Sequence, residues 1–466
     1  MKKITLAAFT LSLLLGKNTW AEDALENSVK KTKNYYVDAR SYGTKPETDL
    51  PAYVKSLDKT GIESFKTLNW LDVGLQYRAR FEHRDNDFRK TTDTVDDPLL
   101  SRARAYVAVR DVLDPLRFTL EFQDSRKVHS KYKSDDSEKN EVEFIQSYGE
   151  LYFKNALGNE RPISVRYGRM AFETLDRRLI ARNEWRNTTN NFHGVRAIFG
   201  QDKNDWQLDT FALKPITRYT NDDDQVNKDQ RLYGAILNWR RWSDIVTLQP
   251  FYFKLDQKST NLSTPRNIDS AGLRAYGLIG NTAFDYDLLG VYQYGNSGNQ
   301  VHRASGAVAE LGYTFKDEWK PRLSVNYGYG TGDGNPTDGK NQRFERLFGF
   351  SRPWSSSDYL QWENIEALKT RLEIQPSKNL RADAGYSFYW LNSSSDRWNR
   401  ANLRDSTAKS GSFIGQEFDA RARYKITPNL EGNLGYAYFK PGDFTNNVGR
   451  DNASNFLYLE LTWSLF

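Results

Sequence analysis

Arginine is the residue type in this sequence best suited to solute chemistry, because it recurs at every second position in several segments. Arg78 and Arg80 form one such pair, and Arg102 and Arg104 form another. A guanidinium group stays protonated and can bind one carboxylate through two parallel hydrogen bonds. Alternate residues of an extended strand share a face, so this spacing predicts rows of cations that recognise anionic solutes.

A larger set of charged residues is expected to line the same passage. The candidate pore-lining or solute-binding residues are Arg78, Arg80, Arg102, Arg104, Arg166, Arg169, Arg177, Arg196, Arg371, Arg421, Arg423, Glu121, Glu150 and Asp419. Together they predict a net basic constriction, and the segment 169–196, which also holds Arg178, Arg182 and Arg186, is expected to fold inward as part of it. The alternative is that these charges pair across neighbouring strands and only stabilise the wall.

Asp333, Asn335 and Asp338 form a pattern that suggests a metal site. Their spacing is similar to that of a calcium loop, but glycine arrives one position late and no glutamate follows at the twelfth position. A solvated turn is therefore the preferred interpretation and calcium is the alternative. No other metal and no cofactor are expected.

The sequence gives little support for catalysis or nucleic-acid binding. Its four histidines include no evident Ser–His pair, and a hydrolase needs a positioned nucleophile and base. The chain has no cysteine, which rules out thiolate metal sites and thiol catalysis. No phosphate-binding loop or nucleic-acid motif is present. We therefore predict neither an enzyme nor a nucleic-acid partner.

The segment 368–390 indicates the kind of element that positions the charged residues. Its two arms, 368–374 and 380–390, alternate apolar with polar or charged residues, and the second arm ends in aromatic residues. A turn at 376–379, opened by Pro376, joins them. Side chains of a strand point to opposite faces in turn, so one face of this hairpin is apolar and the other charged. That pattern is typical of a membrane barrel with lipid outside and water inside.

The same alternation predicts about eighteen spans in the rest of the chain. The predicted spans are 71–82, 102–110, 117–124, 144–153, 163–167, 192–199, 206–213, 231–239, 246–254, 271–279, 284–294, 304–315, 321–329, 366–374, 380–390, 417–425, 430–439 and 456–465. The connections alternate between long and short, with 295–303 among the long ones. We therefore predict an all-β, antiparallel transmembrane barrel with short periplasmic turns, long extracellular loops and both termini in the periplasm.

Composition and the first residues agree with secretion to an outer membrane. The chain is rich in aromatic residues (14%) yet has a mean hydropathy of −0.75, and it lacks the run of about 18 apolar residues that a membrane-spanning helix needs. We predict a signal peptide at 1–21, a periplasmic extension at 22–69 with a lumen plug as the alternative, and the barrel at 70–466. The net charge of +6 falls to +3 without the three lysines of the signal peptide, which argues little about partners.

The barrel region resembles the alginate export family of outer-membrane porins. The resemblance is strongest at 165–199, VRYGRMAFETLDRRLIARNEWRNTTNNFHGVRAIF, and recurs in order at 121–126, 319–323, 332–341, 362–368, 415–419 and 441–444. It implies a monomeric barrel of eighteen strands with a pore lined by arginines and some acidic partners. The best-known member of the family passes the polyanion alginate outward. Residues 22–69 lie outside the resemblance.

We expect an outer-membrane porin that passes anionic saccharides or other small anionic solutes by passive conduction. A substrate-selective uptake porin or general diffusion porin is the alternative, and a barrel enzyme or adhesin is the alternative from another class. Expected partners are outer-membrane lipid, lipopolysaccharide and periplasmic secretion proteins. The barrel assembly machinery is expected too, since the chain ends in the aromatic Phe466.

Overall fold

The computed structural model describes residues 50–91, 94–261 and 263–466. The predicted signal peptide and most of the predicted periplasmic extension lie outside these residues. No helix in the described ranges is long and apolar enough to cross a membrane. The helices that do occur are short: one α-helix, α1 (Asp443–Asn447), and the 3-10 helices Leu57–Thr60, Glu63–Phe65 and Asn399–Ala401.

Strands make up most of the described chain. They are β1 (Val54–Ser56), β2 (Leu71–Asp85), β3 (Leu99–Leu113), β4 (Leu116–Val128), β5 (Asn140–Phe153), β6 (Ile163–Met170), β7 (Phe192–Phe199), β8 (Trp206–Thr217), β9 (Gln225–Val226), β10 (Gln230–Trp239), β11 (Thr247–Gln257), β12 (Arg266–Leu278), β13 (Phe284–Ser297), β14 (Gln300–Thr314), β15 (Arg322–Gly330), β16 (Lys340–Asn341), β17 (Ile365–Ile374), β18 (Leu380–Trp390), β19 (Phe413–Thr427), β20 (Leu430–Pro441) and β21 (Ser454–Ser464). Without the short strands β1, β9 and β16, eighteen remain, and these form the wall.

The wall is a closed antiparallel barrel. Each wall strand pairs with the next in sequence, and the last returns to the first, with Gln76 opposite Ser464 and Asp85 opposite Asn455. The predicted fold class is therefore confirmed. The two faces differ as expected for a lipid boundary, because the outward Tyr77 of β2 is 49% exposed whereas the inward Arg78 is 3% exposed.

One end of the barrel carries mainly short connections and the other mainly long ones, and we call them the short-turn end and the long-loop end. The predicted long loop at 295–303 is wrong. Strand β13 continues to Ser297 and β14 begins at Gln300, so only two residues connect them. The tight hairpin turn requires a positive φ, and Gly298 adopts a φ of +60°. Residues with a side chain adopt this conformation less readily than glycine.

Two long connections fold into the lumen, and we call residues 171–191 inner loop A and residues 331–364 inner loop B. They join each other through backbone hydrogen bonds. The amide of Phe348 donates to the carbonyl of Leu179 at 2.9 Å, and the amide of Phe350 donates to the carbonyl of Arg177, also at 2.9 Å. The two loops therefore form a single body inside the barrel.

The inner face of the barrel has an apolar part that seats this body. Phe211 of β8 and Phe253 of β11 point inward and are buried, in the same cluster as Leu179 of inner loop A and Trp354 and Trp362 of inner loop B. On β2–β5 and β17–β19 the inner face instead carries many buried charged and polar side chains. The inner loops therefore rest against apolar wall on one side and meet charges on the other.

Candidate solute-binding constriction

Glu184 of inner loop A is held by three arginines. Arg104 of β3 donates to its two carboxylate oxygens at 2.8 and 3.0 Å, and Arg102 donates at 3.2 Å. Arg182, from the same loop, donates through Nε at 3.1 Å. Although burial raises the pKa of Glu184, these guanidinium groups hold it well below its usual range. The ionised carboxylate thereby fixes inner loop A to β3.

Arginines of β2 hold the backbone of the same loop. Arg78 donates to the carbonyl oxygens of Glu184 at 2.8 Å and Arg186 at 3.0 Å. Arg80 donates to the carbonyl of Trp185 at 2.7 Å. Carbonyl oxygens at 184–186 therefore face the wall, and the loop position depends on this pair of arginines.

The buried carboxylate of Glu121, on β4, also contacts inner loop A. It accepts hydrogen bonds from the hydroxyl of Tyr53 at 2.5 Å, from Nε2 of Gln146 at 2.5 Å and from Nη2 of Arg182 at 3.0 Å. Glu121 is fully buried. Three donors compensate the cost of burying that charge.

Charged residues of β17, β18 and β19 form a second network. Arg371 donates to Asp383 at 2.5 Å and to Asp419 at 2.6 Å. Arg421 and Arg423 approach the same Asp383 carboxylate at 3.1 and 3.7 Å. This network crosses strands, as the wall-stabilising alternative describes.

The other arginines of the predicted set are paired as well. These pairs are Arg166–Glu150 at 2.9 Å, Arg169–Glu143 at 3.0 Å, Arg177–Glu173 at 4.0 Å and Arg196–Asp209 at 2.7 Å. Each of the eleven candidate pore-lining arginines thus has a carboxylate within 4.0 Å, Arg78 and Arg80 included, and their contact with a solute stays a prediction. Arg177 belongs to inner loop A, and the rest belong to wall strands.

A cavity of about 120 Å³ lies on the long-loop side of the contacts between inner loop A and the wall. Its lining holds more cations than acids. The cations are Arg80, Arg84, Arg89, Lys90, Arg186, Arg352 and Arg400, and the acids are Glu82, Asp135, Glu138 and Asp358. Seven cations against four acids leave an excess of positive charge around the cavity.

Arg352 of inner loop B is the most unusual of these cations. It is 4% exposed, and its guanidinium lies 3.7 Å from the ring centre of Trp185 and donates to the carbonyl of Ser356. Within the described part of the chain no carboxylate lies within 4.0 Å of it. A buried charge that is not directly paired with a carboxylate is costly, so this site would gain from an anion.

Arg186 likewise has no carboxylate within 4.0 Å among the described residues. Burial lowers its pKa to about 10; Asp358 opposes this shift, whereas Arg400 adds to it. Asp358 is held by Arg400, and although burial raises the pKa of Asp358, the arginines around it lower it to about 2. At neutral pH the cavity therefore keeps its excess of cations.

Strand alternation could not have identified Arg352 or Trp185 as cavity residues. Alternation assigns a face only within a strand, and both residues lie in inner loops whose path depends on long-range contacts. Trp185 and Arg186 both lay in the segment 169–196 that was expected to fold inward, whereas Arg352 did not. The cluster of aromatic residues in 344–362 is a local sign of burial, but it does not reveal which cation the cavity contains.

The candidate calcium residues make turn hydrogen bonds. Oδ1 of Asn335 accepts from the amide of Thr337 at 3.1 Å, and Oδ1 of Asp338 accepts from the amide of Lys340 at 2.9 Å. The amide of Asp333 donates to Asp396 at 2.8 Å. Over the ranges that the structure covers, no three His, Asp or Glu side chains are grouped to hold a metal ion.

A closed eighteen-stranded barrel with inward loops defines an outer-membrane β-barrel porin. OccAB1 of Acinetobacter baumannii is similar in fold, with a TM-score of 0.58 at 13% identity over 88% of this chain and 99% of that chain. OprD of Pseudomonas aeruginosa gives 0.57 at 11% identity over 85% and 94%. OpdK of the same organism, solved with vanillate, gives 0.57 at 12% identity over 85% and 98%.

Residues 69–458 match the family model described as alginate export, and the chain belongs to that family. The predicted family is therefore confirmed. The family and the structural neighbours are porins rather than enzymes. A search of curated proteins gave no match.

Proposed function

We propose that this porin is a passive channel for small anionic solutes, among them acidic saccharides, and that solute carboxylates bind beside Arg352. One observation carries the proposal. The Arg352 guanidinium is buried in the cavity, and no carboxylate of the described residues lies within 4.0 Å of it. A bound carboxylate would supply the missing counter-charge and accept hydrogen bonds from the guanidinium.

The location of the cavity supports a role in permeation. Its lining includes Trp185 and Arg186 of inner loop A, Arg352 of inner loop B, and Arg80 of the wall. A solute that enters from the long-loop end would meet these cations before the ion pairs around Glu184. Cations at a narrow point raise the local concentration of anions and disfavour cations.

The related proteins support an acidic solute. The family is described by export of alginate, a polyanion, and OpdK was solved with vanillate, an aromatic acid. Passive conduction permits export or uptake, depending on the gradient, so the substrate-selective uptake porin is the second candidate. The likeness to OpdK is the observation that favours it.

The topology supports the proposed orientation and assembly. Porins place short turns in the periplasm. We therefore infer that the short-turn end, where β1 enters and β21 ends, faces that compartment. Each wall strand has a neighbour on both edges, and closure therefore needs no second copy. We propose a monomer with lipopolysaccharide as its outer neighbour.

Planar-bilayer recording tests this function. The wild-type protein should conduct, prefer chloride over potassium in a salt gradient, and lose current when glucuronate but not glucose is added. Arg352→Gln should weaken the glucuronate block about tenfold, since a hydrogen bond to a charged group contributes about 1.5–3 kcal/mol. Arg303→Gln, at an exposed arginine of β14, is the matched control. Absence of current, or equal block in both variants, would overturn the proposal.

A further inference from the structure

Residues preceding the barrel enter it at the short-turn end. Strand β1 pairs with β2, with Val54 opposite Gly74 and Ser56 opposite Asp72. Strand β3 occupies one edge of β2 over this stretch, and β21 pairs with the other edge only from Gln76 onward. Strand β1 therefore occupies the part of the β2 edge that the last strand leaves open.

The start of β1 packs inside the lumen. Tyr53 and Val54 are buried together with Tyr106 and Ala108 of the inner face of β3. A Cβ atom on Gly74 would lie 2.7 Å from the carbonyl oxygen of Tyr53, so only glycine allows so close an approach. The segment is thus held by backbone pairing and by apolar contact.

Tyr53 is joined to inner loop A through a single carboxylate. Its hydroxyl donates to Oε1 of Glu121 at 2.5 Å, and Nη2 of Arg182 donates to that same oxygen at 3.0 Å. Arg182 also donates to Glu184, the residue that fixes the loop to β3. Burial raises the pKa of Tyr53 well above its usual range, so the hydroxyl keeps the proton that it donates.

We propose that residues 50–56 form a latch at the short-turn end that positions inner loop A through Glu121, with Tyr53 as the positioning residue. Release of the latch leaves the buried Glu121 carboxylate without one of its donors and loosens the hold of Arg182 on the loop. The constriction then widens. Control of permeation in this way rests on the proposed channel function.

Substitution of the hydroxyl tests the latch. In planar bilayers Tyr53→Phe should raise the occupancy of a higher-conductance state about tenfold, which corresponds to about 1.4 kcal/mol. In detergent the same substitution should raise amide hydrogen exchange within inner loop A by a similar factor. Tyr77→Phe is the matched control, because Tyr77 points outward from β2. Exchange and current unchanged in Tyr53→Phe would overturn the latch.

A reversible crosslink provides a second test in a chain without native cysteine. Lys55 and Val73 are paired residues, so their Cα atoms should be about 4.5–5.5 Å apart and accept a disulfide in the Lys55→Cys/Val73→Cys variant. Lys55→Cys/Leu71→Cys is the control, because Lys55 and Leu71 are not paired and these cysteines should not form a disulfide. With Tyr53 in place, the oxidised first pair should suppress the higher-conductance state, and reduction should restore it. In Tyr53→Phe the same crosslink should not suppress that state, because it cannot replace the hydroxyl that donates to Glu121.

The two proposals can fail separately. A wild-type protein without current would refute the channel, whereas hydrogen exchange in inner loop A would still decide the latch. A conducting wild type in which Lys55→Cys/Val73→Cys fails to crosslink would refute the latch alone.

Discussion

Gly349 of inner loop B lies so close to Arg178 of inner loop A that a Cβ atom on the glycine would stand 1.8 Å from the arginine's carbonyl oxygen. The neighbouring amides of Phe348 and Phe350 donate across the same junction. The two inner loops therefore meet by backbone contact, and the absence of a side chain at one residue permits it.

Gly349→Ala should separate the inner loops. The added methyl group cannot fit, so we expect a loss of about 1–3 kcal/mol in stability and a larger single-channel conductance. Thermal loss of the folded, heat-modifiable band on gels and bilayer recording measure the two effects. Gly334→Ala is the matched control in the same loop, because a Cβ there meets only an ordinary contact at 3.8 Å. Equal behaviour of the two variants would refute tight contact at Gly349.

Glu184→Gln should make the constriction more anion-selective. The variant keeps the side-chain size but removes the charge that compensates Arg102, Arg104 and Arg182. We expect the reversal potential in a salt gradient to move further toward that of chloride. Glu318→Gln, at an exposed acid of a short turn, should leave it unchanged. A shift toward potassium would contradict the proposed location of the constriction.

Asp358→Asn should shift the reversal potential toward chloride by an amount that does not depend on pH between about 5 and 8. The pKa of Asp358 is depressed to about 2, so its ion pairing is complete above the ordinary pKa of about 3.8 and is lost only as the pH falls through about 2. Recordings of wild type and variant across this range check the prediction. A difference that disappears at the acidic end of the range would mean that the carboxyl titrates there.

Arg371→Gln should destabilise the barrel more than it alters selectivity. It removes the arginine that Asp383 and Asp419 share, and breaking a buried ion pair costs about 3–5 kcal/mol. The temperature at which the folded band disappears should fall, with little change in reversal potential. Arg381→Gln is the control, since no carboxylate among the described residues lies within 4.0 Å of Arg381. A large shift in selectivity with normal stability would make Arg371 a pore residue instead of a wall residue.

Alternation predicted the wall well because successive side chains of a wall strand face lipid and lumen in turn, so lipid favours an apolar residue at every second position. Strands at 192–199 and 380–390 have the predicted bounds. The hairpin around Gly298 was missed, since glycine, asparagine and serine are common to both tight turns and long loops. The apolar inner face, with Phe211 and Phe253, was not predicted, because these residues are buried by inner loops that come from distant parts of the sequence.

The constriction was predicted only in part. Arginine pairs on alternate positions indicated where the wall is charged, but their carboxylate partners, such as Glu184 and Asp383, are brought to them by folding. Arg352 and Tyr53 lie outside the wall strands, so their positions depend on tertiary contacts that no local pattern encodes. The paths of inner loops A and B depend on how they pack against several wall strands at once, and the sequence of one segment does not show this.

Pairing between β2 and β21 also bears on how the protein is made. Strand β21 follows all the other wall strands in the sequence, so a product that stops before Ser454 would leave two strand edges with unsatisfied amides and carbonyls. Such an open sheet cannot remain in lipid and would be left for degradation. Synthesis through β21 is therefore a requirement that chains truncated within the barrel do not meet.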